Sequence, residues 1–168
     1  YRYDIVEKQG EFLEIATTRP ETLFGDSAVA INFKDKRAKK LKGLHVRIPF
    51  TGREIPIILD DHVDLEFGTA TLKVTPAHDP TDFEIGKLHD LPQIQVIGFD
   101  GKMMKVLEVP EQFQGLTREE CRAELVKPNE WFVGKKSHTQ VVGHCYRTGT
   151  IIEPMLSEQW FIAVNNEF

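Results

Sequence analysis

Short apolar runs rich in Val, Ile, Thr and Phe recur along this chain, and Gly, Pro and Asp separate them. Runs of this length and composition are typical of β-strands bounded by turns. The chain has 168 residues, which is enough for one domain with a substantial core. The predicted strands are Tyr3–Glu7, Phe12–Thr17, Ala28–Phe33, His45–Pro49, Glu54–Leu59, Thr69–Thr75, Ile94–Phe99, Val141–Tyr146 and Thr150–Glu153.

Three short helices are predicted between these strands. The first, Asp35–Leu41, is basic and is expected to be exposed. The second follows Asp79, which suits the N-cap, with Pro80 in its first turn and Asp82 at the third position. The third begins at Thr117 with a Thr-Arg-Glu-Glu capping box. Many short strands with a few helices predict a domain centred on a β-barrel with α/β decoration.

The overall composition excludes several classes of protein. A chain with 40% hydrophobic and 28% charged residues is not disordered. Its apolar runs are far shorter than a membrane span, so we expect no membrane attachment. The N-terminus carries no apolar signal core, and we therefore expect a cytoplasmic protein.

The charge balance limits how this chain can contact RNA. A formal net charge of −5 disfavours binding by bulk electrostatics, so any such contact needs a local basic patch. The densest basic run lies between Lys34 and Lys42. It is either a solvated helix face or a contact for the phosphates of an RNA acceptor end.

Metal binding is not expected from the cysteine and histidine spacing. Cys121 and Cys145 form no C-x-x-C pair, and two free thiols are a better interpretation than a zinc site or a disulfide. His78 precedes Asp79, but these residues and Asp82 lack the spacing of a helical His-x-x-x-His pair or another firm ligand set.

Asp79 and Asp82 allow two interpretations. In the first, both carboxylates only stabilise the N-terminus of the second helix. In the second, one carboxylate projects into a pocket and holds a substrate ammonium group, because a charge-assisted hydrogen bond is stronger than a neutral one. The spacing alone favours the first interpretation.

The segment TTRPETLFGD, residues 17–26, also has two interpretations. Threonines and Pro20 are typical of the end of a strand. Clustered hydroxyls and backbone amides also suit a ribose or an ester carbonyl, and the planar guanidinium of Arg19 suits a phosphate.

Lys73 lies within a predicted strand of alternating pattern, where it shares one face with Thr71 and Thr75. That face is either solvated or the polar wall of a pocket that reaches a substrate hydroxyl or carbonyl. The chain contains no G-x-S-x-G elbow, no Cys/His arrangement for acyl transfer and no Walker or dinucleotide fingerprint. Covalent catalysis and nucleotide hydrolysis are therefore not predicted.

Two segments together resemble the signature motifs of a known family. TTRPETLFGD at 17–26 and EFGTATLKVTPAHDPTDFEIG at 66–86 are similar to the two motifs of the editing domain of valyl-, isoleucyl- and leucyl-tRNA synthetases, which are class I aminoacyl-tRNA synthetases. GREIPII at 52–58 and EPMLSEQWF at 153–161 resemble the valyl branch in particular. The resemblance covers nearly the whole chain.

This resemblance implies a fold and a domain organisation. The expected fold is mainly β with α/β decoration, centred on a closed β-barrel. Residues 1–168 would form a single editing domain, an insertion excised from a longer synthetase. The HIGH and KMSKS signatures of class I aminoacylation are absent. We therefore expect no cofactor for the fragment, while the parent enzyme uses ATP elsewhere.

The resemblance also implies an activity, hydrolytic proofreading of mischarged tRNA. The expected substrate is threonyl-tRNA-Val, and water attacks the aminoacyl ester without a covalent intermediate. The valyl enzyme is a standard example of this need, because an apolar pocket rejects an added hydroxyl by only about 10²-fold. Expected partners are the 3′ end of tRNA-Val carrying threonine and the catalytic domain of the parent synthetase. The alternatives are editing for a leucyl or isoleucyl enzyme and a non-catalytic module that binds the tRNA acceptor end.

Residue roles follow from the same resemblance. Asp82 is expected to anchor the α-amino group of the substrate. Lys73, Thr75 and Asp79 are expected to complete the catalytic set by reading the threonine side chain or positioning water. The expected substrate-binding residues are Thr17, Thr18, Arg19, Thr22, Phe67 and His78, the last in a supporting role.

One position departs from the family pattern. Ala70 stands where the family usually has glycine. Its methyl group is expected to narrow the approach of the backbone to a ligand or to restrict φ.

Overall fold

A single mixed sheet of six short strands forms the centre of the protein. The structure, a computed structural model, describes residues 1–139, 141–160 and 162. The strand order is β2-β1-β4-β5-β3-β6, and only the β3–β5 pair is parallel. The strands are β1 Arg2–Ile5, β2 Phe12–Glu14, β3 Ala28–Ile31, β4 His45–Arg47, β5 Glu54–Leu59 and β6 Leu72–Val74.

The sheet is open, so the predicted closed barrel is wrong. β2 and β6 are the two edges, and within the described residues they do not pair with each other. Three predicted strands did not join the sheet. Ile94–Phe99 makes only an isolated bridge, Ile97 with Met103, while Val141–Tyr146 and Thr150–Glu153 meet only at the bridge between His144 and Ile151. Closure requires enough tilted, staggered strands to bring the two edges together, and six short strands do not provide them here.

The chain between β2 and β3 differs from the sequence prediction. The predicted strand Phe12–Thr17 stops at Glu14. A six-residue 3-10 helix, Pro20–Gly25, follows and was not predicted. All six of its residues are buried, with Pro20 in its first turn. This helix carries the chain from the sheet edge to the start of β3.

The helices largely follow their capping signals. They are α1 Ala38–Leu41, α2 Pro80–Leu88 and α3 Arg118–Leu125, with a short 3-10 turn at Glu111–Phe113. Asp79 caps α2, as predicted, by accepting hydrogen bonds from the backbone N–H of Thr81 at 2.8 Å and of Asp82 at 3.1 Å. Thr117 and Glu120 form the predicted capping box of α3. Only α1 is shorter than the predicted Asp35–Leu41.

The strand β3 is buried on both faces and divides the core. Val29 and Ile31 point into the larger apolar cluster, whereas Ala28 and Ala30 pack in a smaller one with Ile85 of α2. A continuous apolar run is typical of a strand covered on both sides. This packing places α2 and its capping residues directly beside the β3–β6 pair.

Two further expectations concern the thiols and the membrane. Cys121 and Cys145 are both free, as predicted. Of the helices in the described ranges, none has the length and apolar character needed to cross a membrane.

Candidate functional site

Asp26 lies at the centre of a buried polar network. Its Oδ2 accepts a hydrogen bond from the Tyr3 hydroxyl at 2.7 Å. Its Oδ1 accepts from the Lys73 ammonium at 2.8 Å and from the Thr75 hydroxyl at 2.7 Å. Asp26 is fully buried, and burial of a charge is tolerated only when it is paired and hydrogen-bonded. The network therefore joins β1, the start of β3 and β6 through one carboxylate.

Local structure explains how these side chains meet. The 3-10 helix ends at Gly25, where an added Cβ would lie 2.7 Å from the backbone oxygen of Ile94, so a larger residue does not fit. Asp26 follows at once, two residues before β3. Since β3 pairs with β6 in antiparallel register, with Val29 opposite Lys73, the polar face of β6 comes beside Asp26.

Asp26 lies in the first motif but had no predicted role. The available signal was a carboxylate two positions before a run of four apolar residues, 28–31, all of which are buried. A charge in that position has to find a partner inside the fold. The partner, Lys73, lies 47 residues further along the chain.

The Lys73 face of β6 is a buried polar wall, and the solvated alternative is wrong. Thr71, Lys73 and Thr75 are all buried. Lys73 donates to Thr75 Oγ1 as well as to Asp26. The alternation of the predicted strand was therefore correct about which residues share the face.

The Thr75 hydroxyl has no free proton for chemistry. Its one proton goes to Asp26 and its oxygen accepts from Lys73. Its backbone N–H donates to Oδ2 of Asp82 at 2.8 Å. Thr75 thus holds the two carboxylates and the ammonium group in fixed relative positions.

Asp79 and Asp82 both lie at the start of α2, but their side chains have different contacts. Asp79 is occupied as the N-cap, whereas the side chain of Asp82 turns to the end of β6. Asp82 is only 6% exposed, and its Oδ1 accepts no hydrogen bond from the described residues. Burial raises the pKa of its carboxyl to about 6, while Lys73 and the Thr75 N–H act in the opposite direction.

His78 is held as a neutral ring. Its Nε2 accepts a hydrogen bond from the Val96 N–H at 2.9 Å, which leaves the proton on Nδ1. Burial, with smaller contributions from the positive charges of Arg19 and Lys73, lowers the pKa of the imidazole to about 4. Nδ1 is buried and finds no partner among the described residues.

Arg19 is bound on every side of its guanidinium group. Nη1 donates to the backbone oxygen of His78 at 2.7 Å, and Nη2 donates to Oε1 of Glu153. Nε lies 3.6 Å from Oε1 of Glu21. Glu21 is fully buried and also accepts a two-pronged interaction from Arg122 of α3, at 2.9 and 3.2 Å. Charge-assisted hydrogen bonds between Glu21 and Arg122 therefore hold the first motif against α3.

The remaining predicted contacts divide into two groups. Thr17 Oγ1 accepts from the Arg19 N–H at 3.0 Å, and the Thr22 hydroxyl donates to the Arg19 backbone oxygen at 3.0 Å, so both shape the Arg19 turn. Thr18 is exposed, and Phe67 is 64% exposed. The structure does not bring Thr18 or Phe67 into the buried network.

Other concave and acidic regions lie apart from these residues. Two cavities of about 490 and 480 Å³ are lined by residues from 100–105 with Gly115 and by residues from 32–34 and 61–66, respectively, and neither includes a predicted site residue. Asp60, Asp61 and His62 have ligand atoms within 4.8 Å of one another. Both oxygens of Asp60 are already used, by His62 Nδ1 and His89 Nε2, each at 2.7 Å. The buried network is the stronger candidate because its charged groups are desolvated and still offer a free carboxylate oxygen.

A known family of domains matches about half of the chain. Residues 34–120 match the family model described as leucyl-tRNA synthetase, editing domain. The chain belongs to this editing-domain family. The match includes Lys73, Thr75, Asp79 and Asp82, and stops short of the first motif.

Curated relatives place this editing domain with the valyl enzymes. It is 51% identical over 156 residues to valine–tRNA ligase of Borrelia garinii subsp. bavariensis, covering 91% of this chain and 18% of that protein. It is 50% identical over 164 residues to the Geobacillus stearothermophilus enzyme, covering 96% and 18%. With the Clostridium perfringens enzyme it shares 48% identity over 168 residues, covering 98% and 19%. The chain spans less than a fifth of the length of these relatives.

Solved structures show the same fold at much lower identity. A ternary complex titled as Agrobacterium radiobacter K84 agnB2 LeuRS-tRNA-LeuAMS matches with a TM-score of 0.59 and 20% identity, over 74% of this chain and 18% of that chain. A structure titled GlLeuRS-CP1 matches with a TM-score of 0.53 and 14% identity, over 68% and 80%. At these identities the likeness is one of fold alone.

Proposed function

We propose that this editing domain hydrolyses the ester of threonyl-tRNA-Val, with water as the nucleophile and no covalent intermediate. The observation that carries the proposal is that Thr75 binds both groups, Asp82 through its backbone N–H and Lys73 through its hydroxyl oxygen. One offers an unused carboxylate oxygen and the other an ammonium group, both almost fully buried. A free α-amino group and an ester or hydroxyl oxygen are the matching substrate groups.

Asp82 is proposed to bind the α-ammonium of the misattached amino acid. Its backbone contact to Thr75 fixes the carboxylate, so binding does not require the side chain to be ordered. In a nearly buried position the charge pair is weakly screened by solvent. Uncharged or N-blocked amino acids lack this interaction and should be poor substrates.

Lys73 is proposed to donate a hydrogen bond to a substrate oxygen. Two of its three protons are held by Asp26 and Thr75, which fixes the direction of the third. The recipient is the ester carbonyl oxygen, where negative charge develops when water attacks, or the threonine hydroxyl. Valine has no hydroxyl and would leave a desolvated donor unpaired, which favours threonine.

The reaction needs a water molecule at the carbonyl carbon and a proton for the departing ribose oxygen. Water forms the new C–O bond and the bond to the ribose breaks. One water proton passes to the departing ribose oxygen to form its hydroxyl, and the other stays on the released carboxyl group. Thr75 cannot act as the base because its oxygen already accepts from Lys73 and its proton is held by Asp26. His78 is unsuited as well, because its unprotonated nitrogen is occupied by the Val96 N–H. We therefore attribute catalysis to orientation and polar stabilisation.

Deacylation assays test this proposal directly. We expect the chain to release threonine from threonyl-tRNA-Val and to leave valyl-tRNA-Val intact. Asp82→Asn keeps the shape and should lower kcat/KM by at least about tenfold, since a hydrogen bond to a charged group contributes roughly 1.5–3 kcal/mol. Asp90→Asn, at an exposed position just beyond α2, is the matched control and should leave the rate unchanged.

Two other outcomes would replace the proposal. Hydrolysis of mischarged tRNA-Leu or tRNA-Ile in preference to threonyl-tRNA-Val would assign the domain to a different synthetase. Binding of the tRNA acceptor end without hydrolysis, in this chain and in a full-length valyl enzyme containing it, would make it a binding module. The buried Lys73 ammonium and the unused Asp82 oxygen favour the hydrolytic function.

A further inference from the structure

Two guanidinium groups converge on one carboxylate beside the candidate site. Oε1 of Glu153 accepts from Nη2 of Arg19, and Oε2 accepts from Nη1 of Arg118. All three side chains are mostly buried, with 14, 24 and 17% exposure for Glu153, Arg19 and Arg118. Two forked donors around a single pair of oxygens form an oxyanion site, and Glu153 fills it.

The charges around the two arginines do not balance without Glu153. The buried Glu21 is shared between Arg19 and Arg122, so it is already committed. Glu119 lies 3.7 Å from Arg118 but is 72% exposed, where a charge is well screened. Asp79 acts on Arg19 from a distance and is occupied as the α2 cap. Removal of Glu153 therefore raises the net positive charge of the cluster by one, and one singly charged anion can offset that change.

Glu153 is the most easily exchanged member of this cluster. Arg118 comes from α3, and Arg19 is held by the His78 backbone oxygen, which keeps its guanidinium oriented. Glu153 instead lies in a stretch, 152–160, without helix or strand, next to a single β-bridge at Ile151. The preceding Ile151 and Ile152 are exposed and residues 154–156 are half-buried, so no fully buried neighbour in this stretch holds Glu153 in place.

We propose that Arg19 and Arg118 form a phosphate site for a phosphodiester near the 3′ end of the bound tRNA, and that the Glu153 carboxylate occupies this site when no phosphate does. This inference rests on the proposed function for the identity of the nucleic acid. A phosphodiester has one negative charge and two unshared oxygens, as a carboxylate does, so the exchange conserves charge and geometry. The site adjoins the catalytic carboxylates because Arg19 binds the residue that precedes Asp79.

Binding of 5′-AMP, adenosine and inorganic phosphate, measured by calorimetry, tests the site without any hydrolysis. Glu153→Gln removes the competing charge and should tighten AMP binding by roughly tenfold, with adenosine unchanged. Arg118→Gln added to Glu153→Gln should abolish the gain. Glu158→Gln is the matched control, because Glu158 lies in the same stretch and makes no ion pair with the described residues. Inorganic phosphate that binds as well as AMP would identify a free-anion site instead of a nucleotide site and would overturn the proposal.

The alternative outcomes are distinct. If wild type and Glu153→Gln bind AMP with equal affinity, or if Glu158→Gln raises AMP affinity as much as Glu153→Gln does, Glu153 has only a structural role. Thermal unfolding shows whether Glu153→Gln remains folded. If it does not, Arg118→Gln in the wild-type background provides the test, since it should weaken AMP and spare adenosine, and equal weakening of both would contradict the site.

Failure of the inference and failure of the proposed function can be separated. Release of threonine from threonyl-tRNA-Val with no Arg118-dependent AMP binding would overturn only the phosphate site. AMP binding through Arg118 without any deacylation would overturn only the hydrolytic function. If both hold, Glu153→Gln should lower KM for threonyl-tRNA-Val severalfold and leave kcat unchanged, because it acts on tRNA binding and not on the ester.

Discussion

The backbone N–H of Thr75 and Oδ2 of Asp82 are joined by a 2.8 Å hydrogen bond that connects the end of β6 to the first turn of α2. The same threonine donates its hydroxyl proton to Asp26. Thr75 therefore sets the spacing between two carboxylates. Both oxygens of Asp26 accept hydrogen bonds, whereas Asp82 keeps one unused oxygen. Asp26 and Asp82 should therefore respond differently to substitution and to pH.

Asp82→Asn should stabilise the protein at neutral and alkaline pH while it removes activity. The folded-state pKa of about 6 lies above the ordinary value of 3.8, so the folded state holds a proton that the unfolded state releases. The stabilising contribution of protonated Asp82 is fully present below about pH 4 and is lost as the pH rises through about 6. Above that pH the charged side chain costs up to about 3 kcal/mol, which the amide avoids. Urea unfolding should show the variant more stable near pH 8.

The same titration supplies the control for that measurement. As the pH falls toward about 4, the stabilities of wild type and Asp82→Asn should converge, because both then carry a neutral group. Asp90→Asn should change the free energy of unfolding by no more than about 0.5 kcal/mol at either pH. A stability difference that is independent of pH would contradict the raised pKa of Asp82.

Deacylation should depend on the ionisation of Asp82. Only the carboxylate can pair with an ammonium group, so kcat/KM for threonyl-tRNA-Val should rise with pH through an apparent pKa of about 6 in the free protein. His78 does not contribute to this limb, because burial lowers the pKa of its imidazole to about 4. The pH–rate profile, corrected for spontaneous ester hydrolysis, measures this. A profile without a limb near pH 6 would exclude Asp82 as the ammonium ligand.

Asp26→Asn should be among the most destabilising single substitutions. It leaves the Lys73 ammonium buried without a counter-ion, which typically costs about 3–5 kcal/mol. Adding Lys73→Met should recover much of the loss, since the pair is then replaced by uncharged groups. Tyr3→Phe is the milder comparison, because it removes only one of the three hydrogen bonds to Asp26. Additive losses in the Asp26/Lys73 double variant, measured by urea unfolding, would show that the two charges are not coupled.

Local signals in the sequence were sufficient for much of the framework. The Asp79 and Thr117 caps and the polar face of Lys73 and Thr75 were predicted because each depends on residues within a few positions. The 3-10 helix at Pro20–Gly25 was missed because its residues are held by tertiary packing, including the close approach of Gly25 to Ile94. The open sheet was missed for the same reason, since closure depends on strand stagger between distant segments.

Contacts between distant parts of the chain also limited the prediction of the candidate site. Asp82 was placed from its motif, and the structure adds that its carboxylate is free of capping. The roles of Asp26 and Glu153 depend on contacts 47 and 134 residues away, to Lys73 and Arg19, which no local pattern encodes. A charged residue close to a buried run was the sequence signal for the Asp26 contact, whereas Glu153 follows the exposed Ile151 and Ile152 and had no such signal.

Ala70→Gly should stabilise the protein by about 1 kcal/mol. Ala70 has φ +53°, a left-handed conformation that costs a residue with a Cβ roughly 1–2 kcal/mol. Glycine removes that cost, although greater freedom in the unfolded chain offsets part of the gain. Gly68→Ala is the reciprocal control. Gly68 has φ +60°, and the nearest atom to an added Cβ would be Ala16 Cβ at an ordinary 3.6 Å, so the backbone alone should destabilise this variant. Thermal unfolding should show a raised Tm for Ala70→Gly and a lowered Tm for Gly68→Ala. Changes of the same sign would contradict backbone strain at Ala70.

Gly86→Ala should destabilise the protein even though Gly86 lies inside α2. In an exposed helix, alanine is favoured over glycine by about 1 kcal/mol. Here the new Cβ would lie 2.8 Å from Cγ and 2.9 Å from Cβ of Pro76, whose ring cannot rotate away. Overpacking of this kind typically costs about 1–3 kcal/mol, so after the helix preference is subtracted a net loss of up to about 2 kcal/mol is expected. The displaced helix would also move Asp82 from Thr75 and lower the deacylation rate. Thr81→Ala, at an exposed position of α2, should leave both stability and rate nearly unchanged. A stabilised Gly86→Ala variant with full activity would show that α2 is not closely packed on Pro76.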